Sequence, residues 1–194
     1  QVVRDVQLLR RQGVRPPRSA PVRTEAAARG LPGSLNAEAN EAMLLHGTRP
    51  EVLLNIISTG MNERFSGGIF GHGTYLAEDA GKNDQYVTCD ARFDSDEATP
   101  LGALHKRLYH HRSAQHPGRV FYILVCRVCL GHQVRTQNNT NMDGGGAVFT
   151  PGNRELVAVP RVFPSVHYHS LLAETGVRID RYREFIVFHG EYLY

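Results

Sequence analysis

The sequence predicts an α+β domain. Short apolar runs rich in branched and aromatic residues recur along its 194 residues, and each has the length and composition of a strand. Only two or three segments, all of them short, place apolar residues at the spacing of a helix. The two kinds of element do not alternate regularly, which favours a mixed α+β arrangement over an alternating α/β one.

The first 60 residues predict a strand, a turn and a helix after an irregular start. Gln1 to Arg11 fits a strand or a short helix equally well, and we favour a strand that runs into a turn. Gly13 to Asn40 is rich in proline and glycine and predicts a linker, with at most a short helix at Thr24 to Arg29. Met43 to Thr48 predicts a strand, and Pro50 with the apolar spacing after it predicts a helix.

The middle of the chain contains a glycine-dense segment, Gly67 to Gly73, which lets a ligand approach the main chain closely. Thr74 to Leu76 predicts a short strand after it. Asp79 to Val87 predicts a helix capped by Asp79, and Leu101 to Tyr109 predicts another.

Later segments supply further strands. Arg119 to Leu130 is the clearest of them, and we expect it in the centre of a sheet. Thr136 to Asn153 predicts a long loop of the kind that carries function. Ser165 to Leu172 and Tyr182 to Phe188 predict two more strands.

Length and composition predict one globular domain spanning residues 1–194. Because the pattern of the last expected strand breaks off at Tyr194, we expect this domain to be a fragment of a larger protein. Within the domain we expect an N-terminal strand and linker in 1–40 and the core in 41–194. A soluble, intracellular protein of the cytoplasm or nucleus is the expectation, because no membrane span or signal peptide is visible and the three cysteines lack disulfide-framework spacing. Residues 1–30 carry seven arginines against two acids, a basic arm that could contact nucleic acid or another polyanion, although a solvated surface is the simpler explanation.

Three separated islands carry most of the chemical information. The first is His46 with Gly47 and Thr48, the second is Tyr75 in its glycine-rich segment, and the third is Glu184 at the start of an apolar run. Each island is common by itself, whereas their combination in this order is rare. They suggest one enzyme site assembled from distant parts of the chain.

In this order the islands resemble the His-Tyr-Glu signature of the diphtheria-toxin-like ADP-ribosyltransferases, and among these the catalytic domains of poly(ADP-ribose) polymerases, with tankyrase most similar. The matched segments run from about Asn40 to Glu191. The resemblance implies two packed, mainly antiparallel sheets that form a cleft for NAD. It also implies transfer of ADP-ribose from NAD, as substrate, to protein side chains, with release of nicotinamide.

The resemblance implies a role for each island. His46 holds the adenine-side ribose, Gly47 holds the nicotinamide amide, Thr48 takes the place of a frequent serine, and Glu184 is the catalytic glutamate. Tyr75 and Tyr86 are expected to stack on nicotinamide, and Arg64 is expected on the adenosine side. Further binding residues are expected in the neighbouring segments: Gly68, Lys82 and Asn83.

The chemistry of the residues agrees with these roles. Breaking the bond between ribose and nicotinamide passes through an oxocarbenium-like centre, which a carboxylate such as Glu184 stabilises. A pyridinium ring prefers to lie between aromatic faces, which Tyr75 and Tyr86 could provide. The backbone N–H and C=O of Gly47 can pair with a carboxamide, and His46 can bond to a ribose hydroxyl.

Two departures from the family pattern stand out. Asn83 occupies the position where most relatives have a serine that reaches the nicotinamide carboxamide, which puts the shape of the pocket in question. Tankyrases carry a zinc site after the second tyrosine, whereas Asp90 to Gly118 has no cysteine, so we predict no metal. Cys126 and Cys129 point to opposite faces of a strand and are expected in the core. Six clustered or paired histidines are expected at the surface or in loops rather than as metal ligands: His105, His110, His111, His116, His167 and His169.

Elongation to poly(ADP-ribose) stays open, because it also depends on the acceptor-side loop, here Arg135 to Gly152. One alternative is a toxin-like or effector mono-ADP-ribosyltransferase that modifies one target or nucleic acid. Another is a degenerate module that binds NAD or ADP-ribose without turnover. The basic arm could contact poly(ADP-ribose), and no membrane partner is expected.

Overall fold

The computed structural model describes residues 1–17, 20–62, 66–110, 115–152 and 154–193. Within these residues the helices are short, and the strands are spread between residues 41 and 187. The strands are β1 (Glu41–Gly47), β2 (Thr74–Ala77), β3 (Ile123–Cys129), β4 (Gln133–Thr136), β5 (Ser170–Ala173) and β6 (Glu184–Val187). The helices are α1 (Val2–Arg11), α2 (Glu25–Ala28), α3 (Pro50–Thr59), α4 (Ala80–Asn83) and α5 (Pro100–Leu108), with single 3-10 turns at Ala37–Ala39 and Gly190–Tyr192.

The strands form one six-stranded sheet in the order β3-β1-β2-β6-β5-β4. Only β4 and β5 are parallel, and the other neighbours are antiparallel. A single residue pair, Leu45 with Ala77, connects β1 to β2. The expected two sheets therefore take the form of two halves of one sheet, β3-β1 and β2-β6-β5-β4, joined at a narrow seam.

Apolar side chains cover both faces of the sheet. Along β6, Phe185 and Val187 belong to one buried cluster, whereas Ile186 belongs to the other. Successive side chains of a strand point to opposite faces, so a strand buried on both sides is apolar at every position. The continuous apolar run after Glu184 thus marks a central strand of the sheet.

The N-terminal segment is a helix, so the favoured strand was wrong. Val2, Val6 and Leu9 are buried along one side of α1, and Val2 and Val6 pack with Ala39 and Cys129. Their spacings of four and three residues match one face of a helix, and this tertiary packing outweighs the strand preference of the valines. The basic arm is therefore a docked helix followed by a linker, and Arg4, Arg10 and Arg11 lie exposed on the helix.

Strand β3 lies at the edge of the sheet, where we expected a central strand. Val125 exposes 54% of its surface and Phe121, just before the strand, exposes 50%. Composition alone cannot separate a central strand from an edge strand with an apolar outer row. Cys126 and Cys129 are both buried free thiols in different apolar clusters, as expected for side chains on opposite faces.

The remaining predictions of elements agree with the structure apart from their bounds. Strand β1 and helix α3 follow each other as predicted, and α3 ends at Gly60, which has a positive φ of 83°. Helix α4 is shorter than predicted, although Asp79 caps it by accepting a hydrogen bond from the Gly81 N–H at 2.9 Å. No helix within the described parts of the chain is long and apolar enough to cross a membrane.

Candidate functional site

A cavity of about 420 Å³ lies where the two halves of the sheet meet. Its walls come from the end of β1, the glycine-rich segment before β2, β2 itself, α4 and the start of β6. They include eight of the predicted site residues: His46, Gly47, Gly68, Tyr75, Lys82, Asn83, Tyr86 and Glu184. A larger cavity of about 850 Å³ lies under α1 and the linker, and none of these eight residues lines it.

Glu184 is the buried carboxylate of the cavity. It is 4% exposed and begins β6, where it pairs with Ala77 of β2 on one side and Ala173 of β5 on the other. Its Oε1 atom lies 3.0 Å from the Nζ atom of Lys82, whose side chain is 12% exposed. The carboxylate is thus fixed by two flanking strands and one ammonium group at the cavity wall.

Tyr75 is held in place through its hydroxyl. That hydroxyl accepts a hydrogen bond from the Phe70 N–H at 2.8 Å and donates one to the Gly71 carbonyl at 2.9 Å. A Cβ atom on Gly68 would come within 2.9 Å of the Tyr75 ring and hydroxyl, so the main chain at Gly68 lies directly against this side chain. Burial, with a contribution from the charge of Glu184, raises the pKa of Tyr75 well above its ordinary value.

His46 contacts the next strand through one ring nitrogen. Its Nδ1 atom lies 2.9 Å from the carbonyl oxygen of Tyr75, so Nδ1 carries the proton in the neutral ring and Nε2 is free to accept a hydrogen bond. Burial lowers the pKa of His46, and the bond to Tyr75 opposes this only in part. The histidine is therefore neutral at pH 7.

Gly47 and Asn83 are in direct contact across the cavity wall. The Gly47 N–H donates a hydrogen bond of 2.6 Å to Oδ1 of Asn83. Asn83 is 4% exposed, and its Nδ2 donates to the Asp79 carbonyl at 3.3 Å. The predicted departure at Asn83 thus coincides with the backbone N–H that was expected to hold a carboxamide.

The other predicted residues lie differently. Tyr86 lines the cavity but exposes 50% of its surface, so its ring forms an outer wall. Thr48 is buried just beyond β1 and is not among the residues that line the cavity. Arg64 lies outside the described residues. Ile179, from the loop before β6, lines the cavity and was not predicted, because one isoleucine in a polar segment carries no signal.

A buried ion pair behind the cavity was also missed. Arg183 bonds to both carboxylate oxygens of Glu78, through Nη2 at 2.9 Å and through Nε, and its Nη2 donates to the Pro21 carbonyl at 2.7 Å. These two residues directly adjoin the paired Ala77 and Glu184, so the ion pair fixes the register of β2 and β6 at the site. The sequence signal that could have revealed this pair is a charged residue directly beside each of two apolar strands, one acidic and one basic.

Three histidines expected at the surface or in loops have buried side chains, namely His169 together with His105 and His116, which lie around Asp90. The Nε2 atoms of His105 and His116 lie 2.8 Å and 3.1 Å from its Oδ2 atom, and the Tyr122 hydroxyl donates to the same oxygen at 2.7 Å. Burial raises the pKa of Asp90, but these three neighbours more than offset that effect and lower it overall.

Within the described residues, Asp90, His105 and His116 form the group that could hold a metal ion, since their ligand atoms lie within 4.8 Å of one another. However, each histidine accepts a backbone N–H at Nδ1, from Asp94 for His105 and from Gly118 for His116. The neutral rings therefore carry their protons on Nε2, and a protonated nitrogen cannot bind a metal. The Nδ1 contacts thus argue against a metal ion, although the buried Asp90 Oδ1 and His116 Nε2 atoms make no hydrogen bond of good geometry with the described residues.

The sequence matches the family model of the poly(ADP-ribose) polymerase catalytic domain over residues 23–194. This match covers most of the chain, so the chain belongs to that family. Its α+β architecture is accordingly the ADP-ribosyltransferase fold, and NAD is the substrate of this class of domain. The 420 Å³ cavity brings together residues of all three islands recognised in the sequence.

Proposed function

We propose that the cavity binds the nicotinamide half of NAD and that the protein transfers ADP-ribose to protein side chains. The observation that carries the proposal is Glu184, a buried carboxylate beside Lys82 on the wall of a cavity that also presents Tyr75 and His46. A carboxylate in a site of reduced dielectric stabilises the positive charge that develops on the ribose when nicotinamide leaves.

Glu184 has two tasks in this proposal. It accepts a hydrogen bond from a ribose hydroxyl and opposes the developing charge, and it then orients the incoming nucleophile. Lys82, 3.0 Å away, fixes one carboxylate oxygen and leaves the other for substrate. Both neighbouring strands hold the glutamate main chain, so little motion is needed when the charge develops.

The nicotinamide ring fits between Tyr75 and Tyr86. Tyr75 is fixed by its two hydroxyl hydrogen bonds, whereas the exposed ring of Tyr86 closes the outer side. We assign the carboxamide to the backbone of Gly47, and the adenine-side ribose to the free Nε2 of His46. Thr48, as a binding residue in the place of a frequent serine, and Arg64, on the adenosine side, are kept as part of this proposal.

The loop that follows β4 is the proposed acceptor side. Asn139 in this loop donates a hydrogen bond through Nδ2 to the carbonyl of Ile69, which connects the loop to the rim of the cavity. An acceptor side chain that enters beside this loop would approach Glu184. We propose that the acceptors are protein side chains. We also propose that the exposed arginines of α1 contact poly(ADP-ribose) or nucleic acid.

A catalytically silent NAD-binding module is the second candidate. The specific observation in its favour is the hydrogen bond between Gly47 and Asn83, which occupies the proposed carboxamide site. Similarity to tankyrases and a cytoplasmic or nuclear location remain predictions of the sequence.

The experiment that tests the proposal is incubation with NAD labelled in its adenylate half, followed by a denaturing gel. A smear that disappears in Glu184→Gln indicates chain elongation, and a discrete band that disappears indicates mono-transfer. Labelling that persists in Glu184→Gln contradicts the assigned role. NAD binding without label in the folded wild-type protein supports the silent module.

A further inference from the structure

The side chain of Asn83 holds the backbone N–H that the proposed function assigns to the substrate. Its Oδ1 atom accepts the Gly47 N–H at 2.6 Å, and both residues line the 420 Å³ cavity. An asparagine side chain ends in a carboxamide, the same group that nicotinamide carries. The N–H that the proposed function assigns to nicotinamide therefore already holds an internal carboxamide.

The contact is tight and leaves the main chain little freedom. A Cβ atom on Gly47 would lie 2.8 Å from the Asn83 carbonyl oxygen and 2.9 Å from its Cβ atom, so α4 packs directly against the end of β1. Asn83 is also held by the Asp79 carbonyl, and Asp79 caps the helix. Relief of the contact therefore requires rotation of the Asn83 side chain rather than movement of α4.

We propose that Asn83 is a specificity-determining residue that weakens binding of any ligand whose carboxamide uses the Gly47 N–H. One backbone N–H satisfies one strong acceptor, so a ligand gains its hydrogen bond only after Asn83 loses its own. The net gain from that one hydrogen bond is then close to zero, and affinity rests on the Gly47 C=O, on ring stacking and on the rest of NAD. The inference rests on the proposed function, because it needs nicotinamide in this cavity.

The test compares a carboxamide ligand with a ligand that lacks one. Benzamide serves as the probe for the Gly47 contact, and ADP-ribose, which has no nicotinamide, serves as the control for an intact site. Two substitutions remove the competing oxygen: Asn83→Ala also creates space, whereas Asn83→Leu keeps a branched side chain with the same number of heavy atoms. A third, Asn83→Asp, keeps an acceptor whose charge strengthens the bond to an N–H.

Calorimetric titration is expected to show benzamide binding tightened about 3- to 10-fold in Asn83→Ala and in Asn83→Leu, the gain from one neutral hydrogen bond. Asn83→Asp should show no gain, and ADP-ribose affinity should stay the same in every variant that melts cooperatively.

Three results would overturn the inference. If benzamide affinity is unchanged or lower in both Asn83→Ala and Asn83→Leu, Asn83 does not compete with the ligand. If only Asn83→Ala gains affinity, space rather than hydrogen bonding is the cause. If neither NAD nor ADP-ribose binds to the folded wild-type protein, the proposed function fails and the inference fails with it. If NAD binds but benzamide affinity is the same in wild type and in the Asn83 variants, only the inference is refuted.

Discussion

The buried pair of Arg183 and Glu78 should dominate the stability of the region behind the cavity. Their side chains are only 9% and 4% exposed, and Glu78 also accepts the Arg23 N–H at 2.7 Å. Arg183→Met removes two of the three donors around the carboxylate and leaves a buried charge without its counterion. The expected loss is about 3–5 kcal/mol of unfolding free energy, which corresponds to a fall in Tm of roughly 6–20 °C for a domain of this size.

Urea unfolding followed by circular dichroism measures this loss, with Arg23→Met as the matched control. Arg23 pairs with Asp79, the residue next to Glu78, but the two side chains are 67% and 28% exposed. Such a pair contributes less than about 1 kcal/mol, and the substitution keeps the Arg23 N–H. Addition of Glu78→Leu to Arg183→Met should recover much of the loss, because no unpaired charge remains. A difference of less than about 1 kcal/mol between the unfolding free energies of Arg183→Met and Arg23→Met would refute this prediction.

Three further predictions concern acid stability, metal content and the glycine segment. Burial, with a smaller effect of His169, lowers the pKa of His132 from 6.5 to about 4, so the unfolded chain takes up this proton first as the pH falls. Stability is then lost between pH 6.5 and pH 4. In urea titrations, the free energy of unfolding of His132→Phe should fall by roughly 2 kcal/mol less than that of wild type between pH 7.5 and pH 5. Equal losses would contradict the assignment to His132. Because both histidines at Asp90 carry protons on Nε2, elemental analysis of the purified protein should find no stoichiometric metal, and chelators should leave its Tm unchanged. One equivalent of tightly held zinc would contradict this prediction. Gly68→Ala places a Cβ atom 2.9 Å from the Tyr75 ring and should raise the KM for NAD about tenfold, an effect of roughly 1.4 kcal/mol. The control Gly30→Ala, at an exposed glycine, should leave the KM unchanged. Equal KM values for the two variants would show that Tyr75 does not contact NAD.

The sequence was most informative where the chemistry of a residue and its local context agree. His46, Tyr75 and Glu184 stand out in the sequence because their order along the chain and their local contexts are rare in combination, and the structure brings them to one cavity. Pro50 and Gly60 likewise marked the two ends of α3 correctly, since both signals are local and act on the backbone.

What depends on distant partners could not be read from local pattern. Val2, Val6 and Leu9 fit a helix or a strand until the core that receives them is known. The edge position of β3 depends on which strands find partners, which composition does not record. His105 looks like a surface residue in sequence, because its two partners in the interior, the Asp90 carboxylate and the Asp94 N–H, lie 15 and 11 residues away and outside its helix.

The contact between Gly47 and Asn83 shows the same limit at the site itself. The sequence identified Asn83 as a departure and placed it near the carboxamide site. Only the three-dimensional structure shows its Oδ1 on the Gly47 N–H, because residues 36 positions apart meet through the packing of α4 against β1.

The most direct test of the account is the rate of nicotinamide release from NAD by wild type, Glu184→Gln and Glu155→Gln. Glu155 is an exposed glutamate, so its substitution changes the same chemical group away from the cavity. The account predicts release by wild type and Glu155→Gln at equal rates, and a loss of at least about 100-fold in Glu184→Gln, the effect of removing one preorganised electrostatic group. Equal release by all three proteins, with folded Glu184→Gln, would contradict the central claim that the Glu184 carboxylate drives the departure of nicotinamide.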